Sequence, residues 1–268
     1  VKILALVLLV LTMSAVEAAE LQGRMTQGGL IRGKTAPGAS VSLNEKPLRV
    51  SKDGDFVFGF GRDAPAKAVL RERLPDGTVS ERTLSVAPRK YRVQRINGLP
   101  SKMVTPPADV LARIKADSAL VAETRKRDSE QVFFQGKWIR PADGPVTGVY
   151  GSQRILNGKP RQPHYGIDFA GPVGAPVVAP AAGIVVLAQD DMYYTGGTLI
   201  LDHGHGLSSA FLHMSKVDVK TGDSVAQGQR IGAIGATGRA TGPHLDWRIN
   251  WFQERIDPAF LLSPETVN

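Results

Sequence analysis

The 268-residue chain has no cysteine. That excludes a thiol nucleophile and a disulfide framework, leaving stability to buried cores and, where a site exists, to a metal. Beyond the extreme N-terminus no stretch approaches the ~20 apolar residues that a membrane-spanning helix needs, so stable membrane insertion is not expected. Internal repeats and low-complexity tracts are absent. The N-terminal third contains no histidine, and nothing in it looks catalytic: its acidic residues lie at turns or between basic neighbours. Gly235-Ala236-Thr237-Gly238 lacks the following Gly-Lys-Ser/Thr of a phosphate loop, and Ser208 and Ser209 lack the strand-to-helix elbow of a serine nucleophile.

What is present suits a two-domain soluble protein. Hydrophobic residues make up 42% and charged residues 22%, an ordinary globular balance, and the length is about where single cores stop growing. The net charge of +8 favours an anionic partner such as cell wall, a membrane surface or nucleic acid, although a spread of basic residues also serves as a merely solvated surface. Residues 1–19 read as a secretory signal. Lys2 precedes the apolar run Ile3 to Leu11, and Val16-Glu17-Ala18 leads to cleavage near Ala18 or Ala19. Export to the periplasm or the medium makes nucleic acid the least suitable partner.

Residues 20–90 carry short β-type runs at Val41 to Leu43, Leu48 to Ser51, Asp55 to Phe60, Ala66 to Leu74 and Thr78 to Val86. Asp53-Gly54 and Asp76-Gly77 supply hairpin turns. In Asp55 to Phe60 a period of two puts Phe56, Phe58 and Phe60 on one face, as an immunoglobulin-like sandwich core requires. Residues 91–131 read as a linker. Pro106-Pro107 opens a helix whose apolar stripe (Val110, Leu111, Ile114, Leu120, Val121) is interrupted by Asp117-Ser118, and the charged run Glu123 to Asp128 reads as a solvated face. From residue 132 onward, short runs rich in Gly and β-branched residues predict a compact antiparallel sheet. The fold class is therefore mainly β, with a connecting helix between two β domains.

The chemistry gathers in that last segment, which holds all five histidines: His164, His203, His205, His213 and His244. In His164-Tyr165-Gly166-Ile167-Asp168 the central Gly lets the backbone bend so that imidazole and carboxylate converge. In His244-Leu245-Asp246 strand geometry puts His and Asp on one face while Leu245 enters the core. Phe211-Leu212-His213 is another strand with one imidazole. His203 and His205 flank Gly204 in a turn and read as structural, turn residues usually being exposed.

These motifs, together with Ala179-Pro180-Ala181-Ala182-Gly183, Leu201-Asp202-His203-Gly204, Val219-Lys220-Thr221-Gly222-Asp223 and Gly235-Ala236-Thr237-Gly238, resemble the lysostaphin-type, or LytM-like, zinc endopeptidases of bacterial cell-wall metabolism over roughly residues 144–258. The resemblance implies His164 and Asp168 as zinc ligands. It implies His213 and His244 as the catalytic pair that handles the water proton and the charge on the scissile carbonyl. The third ligand falls at Asp246, where the family pattern has His. A carboxylate also binds zinc, so a His164, Asp168, Asp246 site is chemically sound. Two carboxylates would cancel the charge of Zn²⁺ and weaken its Lewis acidity, and an oxygen-richer site admits Mn²⁺ as an alternative. The resemblance thus implies a peptidoglycan endopeptidase, with regulatory cell-wall proteins as conceivable partners. The competing expectation on the same scaffold is a non-catalytic peptidoglycan-binding protein or an activator of a cell-wall amidase.

Overall fold

The computed structural model describes residues 18–98 and 105–263; the expected export signal lies almost wholly outside them. Two small antiparallel sheets come first. β1 (Glu20–Gly23), β2 (Leu30–Lys34), β3 (Ser40–Leu43), β4 (Lys46–Leu48), β5 (Asp55–Gly59), β6 (Lys67–Arg73) and β7 (Val79–Ser85) assemble as β1-β2-β5 facing β4-β3-β6-β7. Phe56, Phe58 and Phe60 all enter the core between them with Ile31, Val41, Leu43 and Leu70, as the period of two requires. The other face of β5 is buried as well: Leu30 and Val57 belong to the core of the C-terminal domain. Gly59 explains the fit, since a Cβ there would sit 2.3 Å from Cδ1 of Ile256. Arg89 closes the seam with a 2.8 Å ion pair to Asp257.

The connecting segment is more structured than a linker with a helix. β8 (Val93–Ile96) precedes helix α1 (Leu111–Thr124). The Asp117 that interrupts the apolar stripe accepts a 2.8 Å hydrogen bond from the Tyr193 amide, and Val121 packs on Leu187, Ile200 and Leu212. These contacts dock α1 on one face of the C-terminal sheet. The charged run after it is not wholly solvated, because Arg125 is buried and Arg127 pairs with Asp202 at 3.0 Å. No helix among the described residues is long and apolar enough to cross a membrane.

The C-terminal domain contains β9 (Val146–Gly148), β10 (Gln153–Leu156), β11 (Lys159–Pro160), β12 (Ile167–Ala170), β13 (Pro176–Val178), β14 (Gly183–Met192), β15 (Gly196–Gly204), β16 (Leu207–Met214), β17 (Lys216–Val217), β18 (Ser224–Val225), β19 (Arg230–Ala233), β20 (His244–Trp251) and β21 (Glu254–Ile256). Its main sheet runs β18-β14-β15-β16-β20-β12-β9, with β21 paired to β20. Leu245, Trp247 and Ile249 of β20 point into the core with Phe169, Leu199, Leu201 and Phe211. The intervening residues His244, Asp246 and Arg248 therefore share the opposite face. A separate small sheet, β11-β10-β8, has β8 parallel to β10 with Gln94 opposite Arg154.

Candidate active site

The register of the main sheet sets the site. β12 pairs with β20 so that Asp168 stands directly opposite Asp246, and Ala170 opposite His244. Two like charges across a strand pair repel, and both carboxylates are buried, at 7% and 2% exposure; such an arrangement calls for a cation. Room for it comes from two glycines. A Cβ on Gly148 would lie 2.0 Å from Oδ2 of Asp168, and one on Gly166 would lie 2.3 Å from Oδ1 of Asp246. Gly166 has no positive φ, so it serves the His-x-Gly-x-Asp motif by clearance rather than by the bend expected of it.

His164 enters from the loop before β12, clamped by its amide to Ser152 O at 2.9 Å and by its carbonyl to the Gly151 amide at 2.7 Å. His164, Asp168 and Asp246 each offer a ligand atom within 4.8 Å of the other two. Nε2 of His164 lies 3.0 Å from Oδ1 of Asp168, within ion-pair range, yet both atoms are buried without a hydrogen-bond partner. Two atoms side by side and unaligned suit convergence on a third point, since ligands of a tetrahedral zinc sit roughly 3.3 Å apart when each bond is about 2.0 to 2.1 Å. The orphaned pair and the chemistry of the three donors fit a divalent metal.

Asp246 has a second partner that the charge count from sequence omitted. Arg248, two residues along the same face, donates from Nη2 to Oδ2 at 2.6 Å and from Nε to Oδ1 and Oδ2 at 3.0 and 3.1 Å. Burial alone would push the Asp246 carboxyl up; Arg248, helped by His164 and His213, outweighs it and holds the group below the usual carboxylate range. The expectation that two carboxylates cancel a zinc ion's charge is thereby corrected. Arg248 on Asp246, and Arg154 with its Nη2 3.5 Å from Oδ2 of Asp168, offset part of the carboxylate charge before any metal binds.

His213 and His244 stand beside this cluster with ring centroids 4.9 Å apart, and Nε2 of His244 is 4.0 Å from Oδ1 of Asp168. Nδ1 of His213 is 2.9 Å from Thr237 O, and Nδ1 of His244 is 2.8 Å from Gly242 O. A carbonyl only accepts, so both Nδ1 atoms carry a proton and donate it, which points each Nε2 away from these carbonyls. Burial pushes His213 down to about 4, keeping the ring neutral near pH 7. His213 reaches its position through a left-handed backbone with φ of 65° at the end of β16, held by its amide to Thr195 O at 2.8 Å; such strain persists where surrounding structure over-determines it.

The pair opens on a cleft of about 240 Å³, lined by Asp168, His213, His244, Arg154, Arg239 and Gln94 among others. Arg154, Arg239 and Gln94 went unremarked in the sequence because they belong to no motif. Arg248 had a signal, its period-two spacing from Asp246. His203 and His205 lie apart from the cleft and are buried rather than exposed. His203 donates from Nδ1 to Ala182 O at 2.7 Å, accepts from the Ser209 hydroxyl at 2.6 Å and meets the Trp138 ring edge-on. His205 packs on Phe134 with ring centroids 5.0 Å apart.

Residues 162–258 match peptidase family M23. Over 87 residues the chain is 45% identical to the peptidoglycan DD-endopeptidase ShyA of Vibrio cholerae, a stretch covering 32% of this chain and 20% of that one. Over 105 residues it is 42% identical to ShyB of the same organism, covering 39% and 22%. The chain thus spans about a fifth of the length of these curated relatives. A crystal structure of an M23-type peptidase from Pseudomonas aeruginosa aligns over 91% of this chain and 96% of its own length, at 31% identity and a TM-score of 0.69.

Proposed function

The chain belongs to peptidase family M23, and from that premise we propose that it is an exported, zinc-dependent endopeptidase that hydrolyses peptide bonds in the stems or cross-links of peptidoglycan. The observation that carries this reading is the convergence of His164, Asp168 and Asp246 beside two imidazoles, each held through Nδ1 by a backbone carbonyl. The DD-endopeptidase names of its Vibrio relatives support the substrate class. The basic surface and the signal-like N-terminus support action on the anionic wall outside the cytoplasm.

His164, Asp168 and Asp246 would hold the metal, Zn²⁺ first and Mn²⁺ as the alternative. A zinc ion there supplies a Lewis acid that polarises the scissile carbonyl and acidifies a water. The protein's own part is proton handling and charge stabilisation. Nε2 of His213 or His244 accepts the water proton as general base, and the imidazolium so formed donates it to the departing amine. The other ring stabilises the oxyanion when it carries a proton at Nε2. The carbonyls of Thr237 and Gly242 fix each ring by its Nδ1–H, so the reactive nitrogens need no rearrangement. Arg248 donates to both oxygens of Asp246 and so shares that carboxylate with the metal.

One observation favours a second reading. Arg248 engages both oxygens of Asp246, and a guanidinium that kept them both would leave a peptidoglycan-binding protein, or an amidase activator, without metal. Metal analysis of the purified chain, followed by digestion of cell-wall sacculi, separates the two. Stoichiometric zinc with release of soluble peptides supports the enzyme. Metal-free protein that releases nothing after addition of Zn²⁺ or Mn²⁺ supports the binding protein.

A further inference from the structure

We infer that the outer face of the main sheet, where the C-terminal turn of α1 covers it, holds a buried site for a small inorganic anion, with Arg125, Ser208 and Asn250 as its donors. The site stands apart from the cleft and needs no metal.

The starting point is a guanidinium without a counter-charge. Arg125 caps the C-terminus of α1 and is 8% exposed, and its Nε is buried with no hydrogen-bond partner. The carboxylates nearest in the chain serve its neighbours: Glu123 pairs with Lys126, and Asp202 with Arg127. The charges that act on Arg125 are those of other cations. Burial first, then Arg255 and Arg248, lower its pKa to about 8. A guanidinium does not relieve such a position by losing its proton, so the position calls for an anion.

The sheet beneath supplies further donors. Ser208 on β16 stands opposite Asn250 on β20, and Asn250 opposite Arg255 on β21, so the three form a row on one face. Asn250 gives its Oδ1 to Nη1 of Arg255 at 2.7 Å. Its Nδ2 is left buried with no acceptor, and Oγ of Ser208 is buried and unpartnered as well. Two tethers hold the end of α1 over this row. Arg127 bonds Asp202, the β15 residue opposite Ser208, at 3.0 Å, and Gln253, in the turn between β20 and β21, bonds Ala122 O at 3.2 Å. Arg125 falls between the tethers and lies four residues beyond Val121, whose side chain already packs on this face, so both project from the same side of the helix.

The charge balance decides what the donors hold. Arg248 is matched by Asp246 and Arg127 by Asp202, whereas Arg255 meets only the Asn250 amide and, at 5.4 Å, the Tyr165 ring. A trapped water would satisfy the dipoles of Ser208 and Asn250 but not the charge of Arg125; an anion satisfies both, and its bonds to these donors are charge-assisted. Because the orphaned atoms are wholly buried, the occupant is a free ion of halide or small oxyanion size rather than a side chain of another molecule.

The test follows thermal unfolding of the full chain at fixed ionic strength while gluconate, too bulky for a buried site, is replaced by chloride or by phosphate. We expect a saturable rise in Tm of roughly 3 to 6 °C at tenfold above the Kd. A response to chloride alone, or to phosphate as well, supports the site and sets its size. Arg125→Met should lose the response and, in gluconate, melt no lower than the wild type, because it removes an uncompensated buried charge. Ser208→Ala, a minor change of volume with no change of charge, should raise the Kd about threefold to tenfold and keeps the test open if the Met variant fails to fold. A Tm indifferent to the identity of the anion, a response that survives Arg125→Met, or an Arg125→Met chain that melts below the wild type in gluconate overturns the site.

Discussion

Replacing Arg248 by Met removes the counter-charge of Asp246 while keeping most of the side-chain volume. Asp246 is 2% exposed and loses three donated contacts of 2.6 to 3.1 Å. Breaking a buried pair by deleting one partner costs about 3 to 5 kcal/mol, because the survivor is an uncompensated buried charge. The Arg248 side chain retains 21% exposure, so water already reaches the pair and the lower end, ~3 kcal/mol, is the better figure. At roughly 2 to 4 °C per kcal/mol for a chain of this size, chelator-treated Arg248→Met should melt about 6 to 12 °C below chelator-treated wild type. Excess zinc should then raise the variant more than the wild type, since the cation inherits a carboxylate that no guanidinium shares. Thermal unfolding followed by circular dichroism, with chelator and with zinc, reads both differences. A chelated variant within 1 or 2 °C of wild type, or an equal zinc increment in both proteins, would refute the coupling of Arg248 to the ligand set. The double variant Asp246→Leu with Arg248→Met should regain the chelated stability and bind no zinc.

Four further outcomes are expected. Asp246→His alone should weaken zinc retention in competition with a chelator, because Arg248 is left beside the cation with no carboxylate to neutralise it, whereas adding Arg248→Met should restore retention. His213→Ala should keep stoichiometric zinc and lose about 100-fold or more in turnover on sacculi, the scale of general acid–base assistance; zinc loss in that variant would instead mark His213 as a ligand. Gly166→Ala should lose zinc, since the new methyl meets Oδ1 of Asp246 and Cγ of Arg248 at 2.3 and 2.8 Å, and metal analysis of folded protein checks it. Burial pushes His203 from 6.5 down to about 4, so the unfolded chain binds the proton first. The resulting stability is fully present above pH 6.5 and is lost as pH falls through about 4, to the extent of roughly 3 kcal/mol. Denaturant melts across that window should show the slope, and His203→Gln should flatten it.

The local rules that made the site readable are those that act within one strand. His244, Leu245 and Asp246 obey the period of two, and Leu245 is fully buried while its neighbours face the ligand cluster. The same arithmetic carries one step further to Arg248, and its omission explains the mistaken charge count. Features that depend on pairing between distant segments left no such trace. β2 escaped notice because Leu30-Ile31-Arg32-Gly33-Lys34 does not alternate; Gly33 is there to receive the Phe56 ring, whose Cζ would lie 2.0 Å from a Cβ. The left-handed turn at His213 follows from register shifts between β15 and β16, which no short window of residues encodes. His203 and His205 look like surface turn residues until Phe134 and Trp138, about 70 residues earlier in the chain, fold over them.

The parallel strand β8 makes the peptidase domain something that cannot be cut out at the obvious place. A fragment beginning at residue 132 would keep every ligand and both imidazoles, and would satisfy any motif search. It would nevertheless lack Val93–Ile96, leaving the free edge of β10 beside Arg154 exposed and Gln94 missing from the cleft wall. Any cleavage preference measured on such a fragment would describe an altered pocket, and comparisons of specificity belong to chains that retain the interdomain strand.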